Sequence, residues 1–397
     1  LATYRNTDTL VPTTLETMTI STARTAQEAV QRRLDDLVES GVELGAQVAA
    51  YLGDELVVHA WAGTADPATG QLVDGRTLFP VFSVGKGIVA TAVHRLVERD
   101  ALHYDTRLAE LWPEFAAGGK DAITVAHVLE HSAGIPYFPT GLTPDDLADH
   151  DRVVSLIAGL EPAWEPGTKT GYHSLTFGYL MAEVVRRATG RAIDEVVRTE
   201  LAEPLGIEDE LFIVPPTDQA DRLADIDAAA FVALQAQLPG GNAFQRAVGG
   251  ILADSIVPRR IAPAGRSWSM DAFLPFSATM TARAGAALYG ALANGGGRLL
   301  SPERVALATR IRRRDTDQII GAPALKSLGY LHADPVSGGD ETAFGFGGLG
   351  GAEAYADPQR RLGFAFTHNR LTPPTAEESA PGLAALLRES LGVDGAH

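Results

Sequence analysis

The sequence predicts an α+β fold. An antiparallel sheet flanked by helices is built from both chain ends, and a mostly helical region is inserted between them. Three observations carry this. Strand patterns gather near the two ends of the chain. Helical patterns broken by Pro and Gly fill the middle. Two apolar runs, LGAQVAAYL and ELVVHAWAG, flank Gly53-Asp54 as a β-hairpin would. The expected division is residues 18–100 with 275–397 as the α/β domain and 101–274 as the helical domain, with the site in the cleft between them. Residues 1–17 are expected to be an upstream extension before a natural start at Met18.

Each element follows from a local pattern. TAQEAVQRRLDDLVES places Ala29, Val30, Leu34, Leu37 and Val38 on one helical face, with Gly41 as the stop. After the hairpin, FSVGKGIVATAVHRLVERDAL reads as a buried helix. The middle holds helices such as FGYLMAEVVRRATG. Val214 to Met270, with its PP, PGG and PAG turns, is the least regular part and is expected to decorate the surface or line a cleft. Then come the helix TARAGAALYGALANGGG, strands around GFGGLGG, AEAYAD and RLGFAFTHN, and a last helix, PGLAALLRESLG.

Composition narrows the function classes. With 45% hydrophobic and 21% charged residues in 397, a large core is possible. The net charge of -17 argues against nucleic acid and anionic membrane surfaces as partners. Without cysteine there is no disulfide, zinc-thiolate site or cysteine nucleophile. No apolar run is long enough to span a membrane, and the N-terminus lacks a basic and apolar leader, so a cytoplasmic location is expected. A processed, exported chain is the alternative. The short block Arg312-Arg313-Arg314 reads as a solvated helix end. The oligomeric state is not legible.

The lysines are Lys86, Lys120, Lys169 and Lys326, in a chain with 33 basic side chains. Arginine stays charged, whereas lysine can be tuned to act as a base. Ser83 and Lys86 stand at i and i+3 and so share a helix face. Burial lowers an ammonium pKa, and a free amine can take a hydroxyl proton, so the pair has the makings of an activated nucleophile. By itself Ser-x-x-Lys is a weak motif, and a serine at a helix start is usually a cap.

Further motifs stand downstream: EPGTKTGYHSLTFGYLMAEVVRRATG, FGFGGLGGAEAYADPQRRLGFAFTHN, ITVAHVLEHSAGIP and AEPLGIEDELF. With these in order, the chain resembles the serine β-lactamase and penicillin-recognising superfamily from about Glu43 to Asn369. Within it the likeness is to the class C-like branch that includes the family VIII carboxylesterases. The resemblance implies a β-lactamase-like fold without a cofactor or metal. It makes Ser83 the acyl-accepting nucleophile, Lys86 its base, and Tyr172 the group that shares the proton and passes it to the leaving group. The oxyanion would sit between the backbone N–H groups of Ser83 and Leu349. Ser174 stands at the family's Tyr-x-Asn position. Phe346-Gly347-Gly348 stands where Lys-Thr-Gly is usual, so Ser174, Phe346, Gly347 and Gly348 are expected to bind substrate.

The departure at Phe346 carries information. A β-lactamase or peptidase uses a cation and hydroxyl there near the substrate carboxylate, and an aromatic ring can supply neither. Esterases of the family commonly have Trp-Gly-Gly, which this stretch resembles. The expected substrate is therefore a small uncharged ester, and the expected enzyme a serine carboxylesterase. An acyltransferase or transesterase of the same fold, acting on a small natural product, is the main alternative. β-Lactam or D-Ala peptide hydrolysis is less favoured, and a silent binding module lies outside enzymology. Trp268, Phe273 and Phe276 are candidates for further walls of an acyl pocket.

Three further patterns are read as coincidental or structural. Lys169-Thr170-Gly171 spells Lys-Thr-Gly but lies in a loop before Tyr172. His127-Val128-Leu129-Glu130-His131 matches a zinc-peptidase pattern, yet Ser132 to Pro136 ends any helix at once, so His131 is expected to bond to backbone. No Gly-x-Ser-x-Gly occurs, which removes the usual α/β-hydrolase reading.

Overall fold

The hairpin at Gly53-Asp54 starts a sheet that the other end of the chain completes. In the computed structural model, which describes residues 20–139, 142, 145–227, 260–261, 266–267, 277–371 and 379–393, β1 (Gly45–Leu52) and β2 (Glu55–Asp66) pair antiparallel. Gly53 turns between them at φ +59, a conformation glycine adopts without steric cost. The short strand β3 (Gln71–Leu72) extends this edge. From the far end come β9 (Leu325–Lys326), β10 (Leu331–His332), β11 (Phe344–Gly347), β12 (Glu353–Asp357) and β13 (Leu362–His368). The sheet runs β3-β2-β1-β13-β12-β11-β10-β9. The chain halves join where β1 meets β13, with Val48 opposite Phe366.

Every residue of β13 is buried, because helices cover both faces of the sheet. On one face α1 (Ile20–Glu39) lays Ala26, Val30, Leu34 and Leu37 against Val48, Phe364 and Phe366, beside α8 (Ala380–Leu391). On the other lie α2 (Val84–Glu98) and α6 (Ala282–Ala293). The small residues of ARAGAALYGALA let α6 approach the sheet closely. A Cβ on Gly363 would stand 2.2 Å from the Gly290 nitrogen. Gly363→Ala is therefore expected to force helix and strand apart and cost about 1–3 kcal/mol, read as a lower denaturant midpoint with unchanged m.

Helices fill much of the chain between the sheet strands, including α3 (Val125–Leu129), α4 (His150–Ala158) and α5 (Thr176–Thr189), with α7 (Pro302–Thr309) further on. The chain also holds short strands that the periodicity missed. β4 (Phe79–Pro80), β8 (Thr279–Met280) and β5 (Leu211–Phe212) form a second sheet in the order β4-β8-β5, and β6 (Arg260–Ile261) pairs with β7 (Arg266–Ser267). Two-residue strands have no period to read. Residues 1–17, most of Val214 to Met270, and Trp268, Phe273 and Phe276 lie outside the described residues.

The arginine block corrects a sequence expectation. α7 ends at Thr309, and Arg312 and Arg313 reach inward to the two oxygens of Glu130, at 2.6 and 3.2 Å. Glu130 is buried, and a buried carboxylate requires cationic partners. Arg314 alone behaves as a surface charge, paired with exposed Glu341.

No described helix is long and apolar enough to cross a membrane.

Candidate active site

The turn into α2 sets the first residue. Val81 N–H donates to Ala278 O at 2.8 Å, and a Cβ on Gly85 would meet the Ser277 carbonyl carbon at 2.4 Å. Between these fixed points Phe82 adopts φ +46. A non-glycine residue in that region is strained and persists only where its surroundings over-determine it. Ser83 then occupies the N-cap of α2, but its side chain makes no capping bond. The cap reading of this serine is thus replaced by another use of the hydroxyl.

That use is a three-membered contact. Lys86 Nζ lies 2.9 Å from Ser83 Oγ, as the i, i+3 spacing allows. Tyr172 OH, brought in from the segment before α5, donates to the same oxygen at 2.7 Å. Lys86 is 0% exposed, and burial lowers its pKa from 10.5 to about 7. Near neutrality a large share of Lys86 is therefore free amine, able to receive the Ser83 proton while Tyr172 donates to Oγ. Tyr172 is 9% exposed. Burial raises its pKa above the ordinary phenol value, so at neutral pH it carries its proton.

Phe346 forms the apolar wall over these groups. Its ring centroid is 6.1 Å from that of Tyr172 and 5.9 Å from Lys86 Nζ. Ile319 joins Tyr172 and Phe346 in one buried cluster. No counter-charge of the Lys-Thr-Gly kind stands at position 346, and the ring helps exclude water from Lys86. Gly348 meets the chain that leads to Ser83: a Cβ there would lie 2.4 Å from Val81 O. Its N–H closes a turn onto Ala352 O at 2.7 Å, and Leu349 stands in that turn. Gly347 turns its side away from Phe346's wall, where a Cβ would meet Glu353 Oε1 at 2.5 Å. Ser174 is buried beside Tyr172, its N–H donating to Tyr172 O at 3.1 Å.

Two histidines stitch this base together. His131 Nδ1 accepts the His173 N–H at 3.1 Å, which leaves the His131 proton on Nε2. His173 Nε2 accepts the Ile135 N–H at 2.9 Å, so its Nδ1 donates to Gly171 O at 2.6 Å. Burial holds His131 well below the ordinary imidazole pKa and lowers His173 to about 3, so both are neutral. In the HVLEH stretch α3 ends at Leu129. His131 lies beyond it at φ +57, while His127 closes a capping box with Thr124. The two histidines therefore share no helix face. Among the described residues no group of three or more His, Asp or Glu side chains could hold a metal ion. In the literal Lys-Thr-Gly, Lys169 is exposed, whereas Thr170 is buried and receives a hydrogen bond from Lys326 Nζ at 2.7 Å.

Sequence reasoning missed Phe82, Asp317 and Lys326. Backbone strain has no sequence signal in a phenylalanine. The scarcity of lysine marked Lys326 without indicating its partner. Asp317 carried no signal, since its importance depends entirely on what the fold places around it.

Comparison with known proteins identifies the family and the fold. A family model described as beta-lactamase matches residues 30–389. The chain is 36% identical over 357 residues to the esterase/beta-lactamase LipL of Mycobacterium tuberculosis, covering 87% of this chain and 82% of LipL. It is 33% identical over 202 residues to esterase EstB of Burkholderia gladioli, spanning 46% of this chain and 51% of EstB. The crystal structure of a family VIII carboxylesterase superposes with a TM-score of 0.76 at 29% identity, covering 92% of this chain and 97% of that one. With the family model spanning nearly the whole described chain, and the sheet and helices arranged as in these relatives, the protein belongs to the beta-lactamase family.

Proposed function

We propose that this protein is a serine carboxylesterase that cleaves small uncharged esters through an acyl-enzyme on Ser83. The observation that carries the reading is the Ser83 hydroxyl held at 2.9 Å from a buried amine and 2.7 Å from a buried phenol. Lys86, as free amine, takes the Ser83 proton while Oγ attacks the ester carbonyl carbon. The resulting oxyanion lies at the N-terminus of α2 and is stabilised by the Ser83 and Leu349 N–H groups. Tyr172 passes a proton to the departing alcohol and is reprotonated from Lys86. Water then enters, gives its proton along the same path, and releases the acid.

Phe346 sets the substrate class. An aromatic ring packed on Tyr172 favours an apolar acyl or alcohol group and offers nothing to a carboxylate. A β-lactam or peptide carboxylate would be desolvated there without a partner. Ser174, Gly347 and Gly348 border the reacting group, with Gly348 permitting the close approach of the Leu349 turn to Ser83. The esterase names of LipL, EstB and the family VIII structure support the same reading.

The test is intact-mass measurement after brief incubation with p-nitrophenyl butyrate. A butyryl adduct on the Ser83 peptide is expected, and its partition between water and an added alcohol separates hydrolysis from acyl transfer. Adduct formation on any other residue, with Ser83 unmodified during turnover, would overturn the proposal.

A further inference from the structure

Beyond Ser83, Lys86 and Tyr172, the described residues contain a buried ion pair that the chemistry above does not use. Lys326 Nζ donates to Asp317 Oδ2 and, at 2.7 Å, to Thr170 Oγ1. Both residues are 0% exposed. The other carboxylate oxygen, Asp317 Oδ1, accepts three backbone N–H groups: Tyr172 at 3.1 Å, Ile319 at 2.8 Å and Ile320 at 2.9 Å. A fourth link, Gln318 N–H to Thr170 O at 2.9 Å, runs parallel to them.

We propose that the Asp317–Lys326 pair is a positioning device for Tyr172, setting the phenol against Ser83 by holding the Tyr172 backbone to the edge of the sheet; the inference rests on the proton-transfer role proposed for Tyr172. Lys326 belongs to the edge strand β9, whose backbone is anchored by Arg312 and Arg313 N–H groups donating to Lys326 O at 2.8 and 3.1 Å. Tyr172 and Thr170 belong to the segment before α5. Ser83 stands at the N-cap of α2, and Lys86 lies in its first turn. The hydroxyl contact thus depends on sequence-distant parts of the chain meeting in register, and the ion pair joins two of them next to the contact.

The chemistry of the pair suits this task. A buried ion pair is a weak source of stability compared with apolar side chains of the same volume. Its use lies in directionality: a carboxylate has several fixed acceptor sites, and here they are taken up by one loop, one lysine and the Tyr172 backbone. Burial would raise the Asp317 carboxyl, but the Lys326 charge and the loop N–H groups outweigh it and keep the aspartate ionised. The loop it shapes also carries Ile319, which packs with Tyr172 and Phe346. Backbone and ring of Tyr172 are therefore fixed from the same place.

The experiment compares Asp317→Ala/Lys326→Met in the wild-type and Tyr172→Phe backgrounds, using p-nitrophenyl butyrate and checking the fold by circular dichroism. A misplacement on the order of 1 Å costs about 10²-fold in rate. We expect kcat to fall by about that factor in the first background, with KM changed less than about twofold, and to be unchanged by the same substitutions in the second. The neutral hydrogen-bonding variant Asp317→Asn/Lys326→Gln should recover at least about tenfold of the loss. If the Ala/Met variant does not fold, this Asn/Gln variant and Asp317→Asn alone are compared in both backgrounds. Their kcat loss should again vanish when Tyr172 is replaced. Equal losses in both backgrounds would mean the pair supports the fold in general, and the proposal would be wrong. If Tyr172→Phe alone leaves kcat unchanged, what fails is the role given to Tyr172, and that result is distinct from the first.

Discussion

Ser83→Ala is expected to lower kcat for p-nitrophenyl butyrate by about 10⁵-fold or more, with circular dichroism unchanged and little change in melting temperature. The large effect follows from what is removed: the atom to which the proposed mechanism assigns the covalent bond. The small structural effect follows from geometry. The Ser83 side chain makes no cap bond to the helix, so α2 does not depend on the hydroxyl. Its contacts to Lys86 and Tyr172 are replaced by a methyl group in a half-buried position. Steady-state kinetics with active-site titration by a fluorophosphonate checks this. Turnover at the wild-type rate by the variant would remove the nucleophile role altogether.

Lys86→Met is expected to separate activity from stability in opposite directions. The loss of activity should approach that of Ser83→Ala, since in the proposed mechanism base and nucleophile act as one unit. Stability should rise. The Lys86 pKa is about 7 in the folded protein, against 10.5 for an ordinary lysine, because of burial. Below pH 7 both folded and unfolded chains hold the proton, and the folded one bears the full cost of a buried ammonium. Between pH 7 and 10.5 the unfolded chain binds more protons, so wild-type stability climbs with pH through this window. At about 1.4 kcal/mol per pKa unit, methionine should gain on the order of 5 kcal/mol below pH 7. That advantage should shrink to nothing by about pH 10.5. Denaturation curves at a series of pH values measure it. The same titration governs the wild-type rate: kcat/KM should rise with a midpoint near pH 7 and lie about 100-fold lower at pH 5. A midpoint near 10, or a variant no more stable at low pH, would show that Lys86 is not desolvated as the structure has it.

Much of the architecture was legible because it is periodic. The amphipathic stripe of α1 and the apolar run of β13 each repeat over enough residues to be read. The Gly53 hairpin is marked by its turn. The small sheet of β4, β8 and β5 was not legible, since two-residue strands are made by their neighbours. Arg312 and Arg313 misled for a related reason. A charge block looks solvated until a buried acid, here Glu130, is placed beside it.

By itself the sequence determined the helix that carries Ser83 and Lys86 on one face, the sheet halves at the two ends of the chain, and the aromatic at position 346. All three are local: spacing, periodicity and residue type suffice. Tertiary structure alone decided the rest. The Tyr172 hydroxyl comes to 2.7 Å from Ser83 across 89 positions of chain. Lys86 has a pKa near 7 only because the packing around it excludes water. Asp317, unremarkable in the sequence, holds the Tyr172 backbone because Lys326 and the folded loop make a buried carboxylate stable there. Burial and long-range contact set the strength of each of these interactions, and both depend on where distant parts of the chain meet.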